Sequence, residues 1–342
     1  MGKFFKIVAA IMMVIACGVT AVVADGFVSG VGVLVAMPPV VLDTQTIVFI
    51  RSLKEEYEAI DTWLSEAEDL GSFVEDGQTL IFPEAGDAPA VYKNRVTDVD
   101  DVEPSETTHK VDLDVYDSQN YKLRNIYLHA LPFDKIQHYT NKSAESIVKQ
   151  EIEDAAHVFA PANAGGKRIV IPTSGGARDG LKMMTLEDVV VLARACDNNS
   201  FPEKGRNLVL PSDMWWDLVN NNTILKGQLE RAPMNGIIMP LVVEYYGFKI
   251  HKSVQKLNIG YDVVANLKAP QGTVITGDVV PAGFMFIGNS VFRASGMFQM
   301  FRKPLTQNTS GRAEEFGFQH RFKADFQMSA QRYSALVYQA KV

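Results

Sequence analysis

The chain has 342 residues, 47% of them hydrophobic and 21% charged. That is material for one large discontinuous domain or two ordinary ones, with an ample core and no need of a covalent staple. A formal net charge of -7 disfavours binding DNA phosphates through the net field and suits solubility, and the two cysteines, Cys17 and Cys196, form neither a disulfide framework nor a metal-type spacing.

The N-terminus differs from the rest. Lys3 and Lys6 precede a run from Ile7 to Ala24 that carries no charge, the layout of a signal peptide and just long enough to be considered for a membrane span. Val14-Ile15-Ala16-Cys17 resembles a lipoprotein cleavage box, but the residues after Cys17 stay apolar. Three readings stand for residues 1–36: an extension ahead of a true start at Met37, an export or membrane leader, or a hydrophobic arm that packs on neighbouring subunits. Membrane association is expected only for the second.

The spacing of Leu53, Tyr57, Ile60, Leu64 and Ala67 predicts a helix over Arg51 to Leu70, ended by Gly71. A strand follows from Gln78 to Phe82, then a turn from Pro83 to Gly86 and extended chain to Val96. Thr97 to Thr108 is acidic, holds a proline and lacks an apolar cluster, as an exposed tip would. His109 to Tyr116 alternates, with Val111, Leu113 and Val115 on one side. Residues 73–120 therefore read as a long two-stranded ribbon. Such a ribbon is marginal alone in water, and this one has too few large side chains for its own core, so it is expected to rest on another copy of the chain.

Further on come a strand over Lys122 to Leu128 and a long helix from Ser143 to Phe159, with Val148, Ile152, Ala155 and Phe159 on one face and Glu145–Lys149 as an i,i+4 pair. Lys167 to Ile171 reads as a strand and "TSGGARDG" as a flexible loop. Thr185 to Asp188 has the form of a capping box opening a helix to about Cys196. Arg206 to Leu210 is a short buried strand, and Ser212 is placed to cap the helix "DMWWDLVNN". Two strands are expected over 237–251 and another over 283–287. Phe316, Phe318, Phe322 and Phe326 mark closing strands with one buried face. The class is α+β.

No convergent catalytic set is visible. The six histidines form no H-E-x-x-H pair; Glu153, Asp154 and His157 share a helical face, but a polar helix edge explains them without a metal. "AGGKR" at Ala164 to Arg168 lacks the first glycine and the hydroxyl of a phosphate loop, and no serine sits in G-x-S-x-G. The acidic tip lacks the offsets of a calcium loop. Of Trp215 and Trp216, one is expected in the core and one at its rim. No catalytic, cofactor-binding or metal-binding residue is therefore nominated, and structural assembly is the expected role rather than an enzyme's.

The order of elements resembles the major capsid protein of tailed bacteriophages, the Hong Kong 97 fold family, over roughly residues 45–342. "FIRSLKEEYEAIDTWLSEAEDLGSFVEDGQTLIFPEAGDAPAVYKNR" resembles the arm, helix and first half of the extended loop; "LPFDKIQHYTNKSAESIVKQEIEDAAHVFA" resembles the approach to the spine helix and that helix. "RNLVLPSDMWWDLVNN" and "YYGFKIHKS" resemble the axial strand–helix unit and its next strand. The resemblance implies an arm and helix at 37–72, an extended loop at 73–120, a peripheral domain at 121–160 plus 290–342, and an axial domain at 161–289. It implies a coat protein that forms hexamers and pentamers of an icosahedral shell, meets a portal and, where assembly uses one, a scaffolding protein, encloses double-stranded DNA without sequence-specific contacts, assembles in the host cytoplasm and resides in the virion. An encapsulin-type compartment shell shares the fold, and an exported lipoprotein or surface protein stands as the alternative if the leader works as a signal. The residues expected at the contact between copies are Phe82, Pro83, Val91, Tyr92, Lys93, Arg95, Asp98, Asp100, Asp101, Val111, Leu113 and Val115. The acidic tip is expected to meet a basic patch, Arg321 with Lys323 or Lys167 with Arg168, which would make assembly sensitive to salt.

Overall fold

A computed structural model describes residues 51, 63–85, 91, 93–94, 106–124, 135–221, 242–253, 257–304, 307, 313–327 and 332–342. The segment 1–36 and most of the helix expected from Arg51 lie outside them. In chain order the strands are β1 (Glu68–Asp69), β2 (Val74–Glu75), β3 (Thr79–Ala85), β4 (Glu106–Asp112), β5 (Asp114–Asp117) and β6 (Tyr121–Arg124). After helix α1 (Lys135–Phe159) come β7 (Arg168–Pro172), β8 (Ala177–Arg178) and β9 (Leu181–Lys182), then α2 (Leu186–Asn198), β10 (Arg206–Pro211) and α3 (Ser212–Asn220). The rest is strand: β11 (Val242–Tyr245), β12 (Phe248–Ser253), β13 (Gly260–Asp262), β14 (Leu267–Lys268), β15 (Val279–Ile287), β16 (Val291–Lys303), β17 (Ala313–Phe326) and β18 (Ser334–Tyr338).

Two sheets organise these elements. In the first, β1, β16 and β17 run side by side, and β5 and β6 both pair with the far edge of β17. The alternation that marks Phe316, Phe318 and Phe322 in the sequence turns all three toward α1, where Val148, Ile152, Ala155 and Phe159 meet them. In the second, β11, β12, β10 and β15 are consecutive neighbours, β15 leads on to β13 and β14, and β18 lies between β15 and β7. Strand β15 is buried on both faces. Phe284 and Phe286 join the core of α1, while Met285 and Ile287 join a second core with Val189 and Leu192 of α2 and Met214 and Trp215 of α3. Burial on both faces is why its sequence is a continuous apolar run rather than an alternation. Trp63 connects to the first core edge-on, with Phe284 and Phe159 at centroid distances of 5.2 and 6.1 Å.

The C-terminus of α1 is closed by a distant side chain. Lys268 Nζ donates to the carbonyls of His157 at 2.5 Å and Ala160 at 2.7 Å, satisfying groups that the helix leaves without partners. Burial pushes this amine down to about 8. At α2 the expected box is present: the backbone N–H of Thr185 donates to Asp188 Oδ2 at 2.8 Å and its hydroxyl to the same oxygen at 3.0 Å.

Several local expectations are corrected. The helix expected to reach Leu70 is by Trp63–Glu66 a 3-10 turn, and Glu68–Asp69 is a strand paired in parallel with β16 at Phe292 and Arg293. The open edge of β16 recruits the chain, and Asp69 accepts from the Gly71 N–H at 3.0 Å where the chain bends. Pro83 to Ala85 is strand, not turn, because β4 supplies partners as far as Ala85–Glu106. Pro83 is tolerated because at that point, among the described residues, β3 has a neighbour on one side only. The strand expected from His109 to Tyr116 breaks at Leu113: β4 belongs to the ribbon, while β5 pairs with β17, Tyr116 opposite His320. "TSGGARDG" contains a tight hairpin, β8 to β9, whose two-residue turn puts Asp179 and Gly180 at φ of 53° and 79°. Pro211 takes the cap position before α3, so Ser212 is its first helical residue rather than its cap. Strand β18 hydrogen-bonds within the second sheet, with strands from 161–289, although it falls in the segment 290–342 grouped by resemblance with the first.

Candidate assembly surface

The ribbon is where contact between copies is expected, and its base has a footing the sequence did not suggest. Strands β3 and β4 pair antiparallel with Leu80 opposite Val111 and Phe82 opposite His109, which puts one apolar face on the pair. That face lies on β16 of the same chain. Leu80 is 0% exposed and Leu113 4%, packed with Leu70, Phe292 and Ala294, while Val111 and Phe82 lie against the same cluster. The Phe82 ring sits 5.7 Å from that of Phe292. Backbone bonds fix the crossing: Met297 N–H donates to the Gly77 carbonyl at 2.9 Å, and Leu113 N–H to the Gln78 carbonyl at 2.9 Å. The expectation that the ribbon's apolar side chains find no partner within the chain is therefore corrected for its base. The clustering of Phe292 and Ala294 beneath it, far along the chain, is not readable from the ribbon's own pattern.

The other nominated residues divide. Pro83 and Lys93 are exposed, and Val91 is 95% exposed. Val115 is 45% exposed but stands on β5 in the first sheet, not on the ribbon, because the break at Leu113 reverses which side chains face in. Tyr92, Arg95, Asp98, Asp100 and Asp101 lie outside the described residues. Of the basic residues proposed to meet the acidic tip, Lys323 pairs with Asp114 at 2.8 Å, Lys167 donates to the Asn199 carbonyl at 2.8 Å, and Arg168 to the Gly165 carbonyl at 3.3 Å. Arg321 stands on β17 opposite Val115, and of the four only Lys323 has a carboxylate partner among these contacts.

Other features suit contact with a second chain. Among the described residues, β11 and β7 each pair on one side only, leaving a row of backbone groups on the other. Phe73, Met297 and Phe301 expose large apolar surface near the ribbon base and along β16. Trp216 is 40% exposed with Lys252 Nζ 4.7 Å above its ring, whereas Trp215 is buried.

Two of the residues weighed earlier for chemistry, Asp154 and His157, have structural partners. Asp154 accepts from the Tyr116 hydroxyl at 2.7 Å and from Gln150 at 2.8 Å, and burial together with that carboxylate pushes the phenol well up. His157 Nε2 lies 3.2 Å from the Ala269 carbonyl, and burial lowers its pKa. Cys196 is buried and free, its thiol pushed up to about 12 by desolvation. Among the described residues no helix is long and apolar enough to cross a membrane.

No family model and no curated protein matches the chain. Solved structures do. A chain in the capsid structure of cyanophage P-SCSP1u is 18% identical, with a TM-score of 0.52 over 81% of this chain and 87% of that one. A chain in the capsid of cyanophage Pam1 is 13% identical, with a TM-score of 0.53 over 80% of this chain and 88% of that one. A chain from Mycobacterium phage Che8 is 11% identical, with a TM-score of 0.52 over 81% of this chain and 90% of that one. With its spine-like α1 against β17, its ribbon on β16 and its second sheet around β10 and β15, the chain has the α+β Hong Kong 97 fold of tailed-bacteriophage capsid proteins.

Proposed function

We propose that the protein is the major capsid protein of a tailed bacteriophage, a structural subunit that self-assembles into the icosahedral shell around the genome. The observation that carries this is the extent of the likeness: four fifths of the chain superposes on 87 to 90% of the phage capsid chains compared above, so the match is to the whole coat subunit and not to a shared fragment. Hexamers and pentamers of the chain would meet through the ribbon beyond its anchored base, through the one-sided edges of β7 and β11, and through the exposed part of β16. Each such contact is modest, and closing the shell gains from all of them; a stable specific interface buries on the order of 1,600 Å². The acidic balance of the chain fits a wall that encloses double-stranded DNA without reading its sequence. A portal, and a scaffold during assembly in the host cytoplasm, would be its other partners, and the virion its location.

Within this reading α1, β5, β6, β16 and β17 form the peripheral domain and residues 161–289 the axial domain. Strand β18 belongs with the axial sheet that it extends. The test is direct: express the full chain, size it and view it by negative-stain microscopy. Shells or ring-shaped capsomers are expected; a monodisperse monomer at high concentration overturns the proposal.

A further inference from the structure

One cluster of chemically active side chains lies beside the ribbon base, on a stretch of β16 that also exposes Met297. Ser295, on β16, is exposed at the point where the β16–β17 register shifts. Its Oγ is 2.9 Å from His320 Nε2 on β17. The other ring nitrogen of His320, Nδ1, meets Glu151 Oε1 of α1 in a short contact, and the side chains of both residues are fully buried. Phe298 stacks on the imidazole at 4.1 Å with the planes 6° apart, and Phe322 closes from the other strand position at 6.1 Å.

These contacts define a direction for the proton. A carboxylate on Nδ1 accepts that nitrogen's hydrogen, which leaves Nε2 with its lone pair aimed at the serine hydroxyl. Burial raises the Glu151 pKa while the paired histidine opposes the rise. The aromatic stack holds the ring in plane, and the order of contacts, hydroxyl to imidazole to carboxylate, is the order that acyl-transfer serines use on unrelated folds. The contact joins a buried histidine to a residue that is itself exposed.

We propose that Ser295 is a base-activated nucleophile that accepts an acyl or phosphonyl group from activated esters, with His320 as its general base and Glu151 as a positioning residue. In the step, Ser295 Oγ bonds to the ester carbonyl carbon while its proton passes to His320 Nε2. The ester C–O bond then breaks, the departing oxygen takes the proton from His320, and the products are acyl-Ser295 and a free alcohol or phenol; with a fluorophosphonate, Oγ bonds to phosphorus, the P–F bond breaks, and phosphonyl-Ser295 and hydrogen fluoride are the products. No oxidant or further reactant is needed. The reactivity stands independently of the shell reading, since it depends only on the packing of α1 against β16 and β17.

The experiment treats the full-length protein with a fluorophosphonate and with an aryl acetate, and maps adducts by peptide mass spectrometry. Ser295 is expected to label at least about 100-fold faster than Ser72, an exposed serine of the same chain that serves as internal reference. Labelling should vanish in Ser295→Ala. It should fall by a similar factor in His320→Gln, which also loses the pH dependence seen in the wild type. It should drop in Glu151→Gln and be partly restored in Glu151→Asp, a pattern that simple loss of packing does not produce. A wild-type protein in which Ser295 labels no faster than Ser72 overturns the proposal, as does a folded His320→Gln variant that labels at the wild-type rate. If that variant does not fold, the wild-type comparison of the two serines decides alone.

Discussion

Gly77 and Gly296 meet where the ribbon crosses β16, and neither position has room for a side chain. A Cβ on Gly296 would stand 2.4 Å from Leu113 Cδ1 and 2.5 Å from the Gly77 carbonyl oxygen, while one on Gly77 would stand 2.8 Å from Met297 Cβ, at a φ of +65° that disfavours any other residue. Gly296→Ala should therefore destabilise the isolated subunit by about 1–3 kcal/mol, the usual range for overpacking, measured by denaturant unfolding. His251 makes a second prediction at this scale. It is buried on β12 beside Asn207, and desolvation, with help from Lys249, lowers its pKa to about 4. The unfolded chain therefore binds more protons than the folded one between about pH 4 and the ordinary histidine range. Its contribution is complete above that range and is lost as pH falls through it, on the order of 3 kcal/mol in all. Unfolding midpoints recorded against pH should fall over that window, and His251→Gln should flatten the curve. Adjacency on a short helix predicted that one of Trp215 and Trp216 is buried and the other at the rim, and the fold buries Trp215. The Ser295–His320–Glu151 contact was not predictable, because no local spacing joins residues that lie 25 and 169 positions apart.

At the level of elements, the ribbon base and the start of α2 are the points where sequence and packing can be tested against each other. Leu80→Ala or Leu113→Ala should cost about 2–5 kcal/mol in the disassembled subunit, because their cavity would open against Phe292 and Ala294 of the same chain. A ribbon footed only on a neighbour would show that loss in shells and not in free subunits. Asp188→Ala should cost about 1–2 kcal/mol by chemical denaturation, since Asp188 closes the cap at Thr185 and also accepts from the Ser174 N–H and hydroxyl at 3.0 and 2.6 Å. The capping box was readable because its four residues are adjacent. Helix α1 was readable over its C-terminal part, where Val148, Ile152, Ala155 and Phe159 repeat at helical spacing; its start at Lys135 was not, since that turn lacks the stripe. The Asp179-Gly180 turn carries a hairpin signal that the neighbouring Gly175-Gly176 pair obscures. The break at Leu113 gave no local sign: alternation continues through it, and only the competition between β3 and β17 for that strand divides it in two.

For the whole molecule, the likeness to phage chains extends over four fifths of the chain at 18% identity or less, so the fold persists where four fifths or more of the aligned side chains differ. Composition and patterning by themselves determined that this is a well-cored, acidic α+β protein with a central helix, several short strands and an extended hairpin, because helical and strand periods and caps are encoded within a few residues of each other. Element order carried the resemblance to coat proteins. What only the tertiary structure decided is which surfaces meet: that the ribbon stands on β16 of its own chain, that β18 joins the second sheet, and that a serine, a histidine and a glutamate converge at the seam of α1 with β16 and β17. A local pattern states that a face is apolar but not what will cover it. That partner is chosen by closing long loops so that all apolar faces are buried at once, and the choice belongs to the assembled core rather than to any one segment.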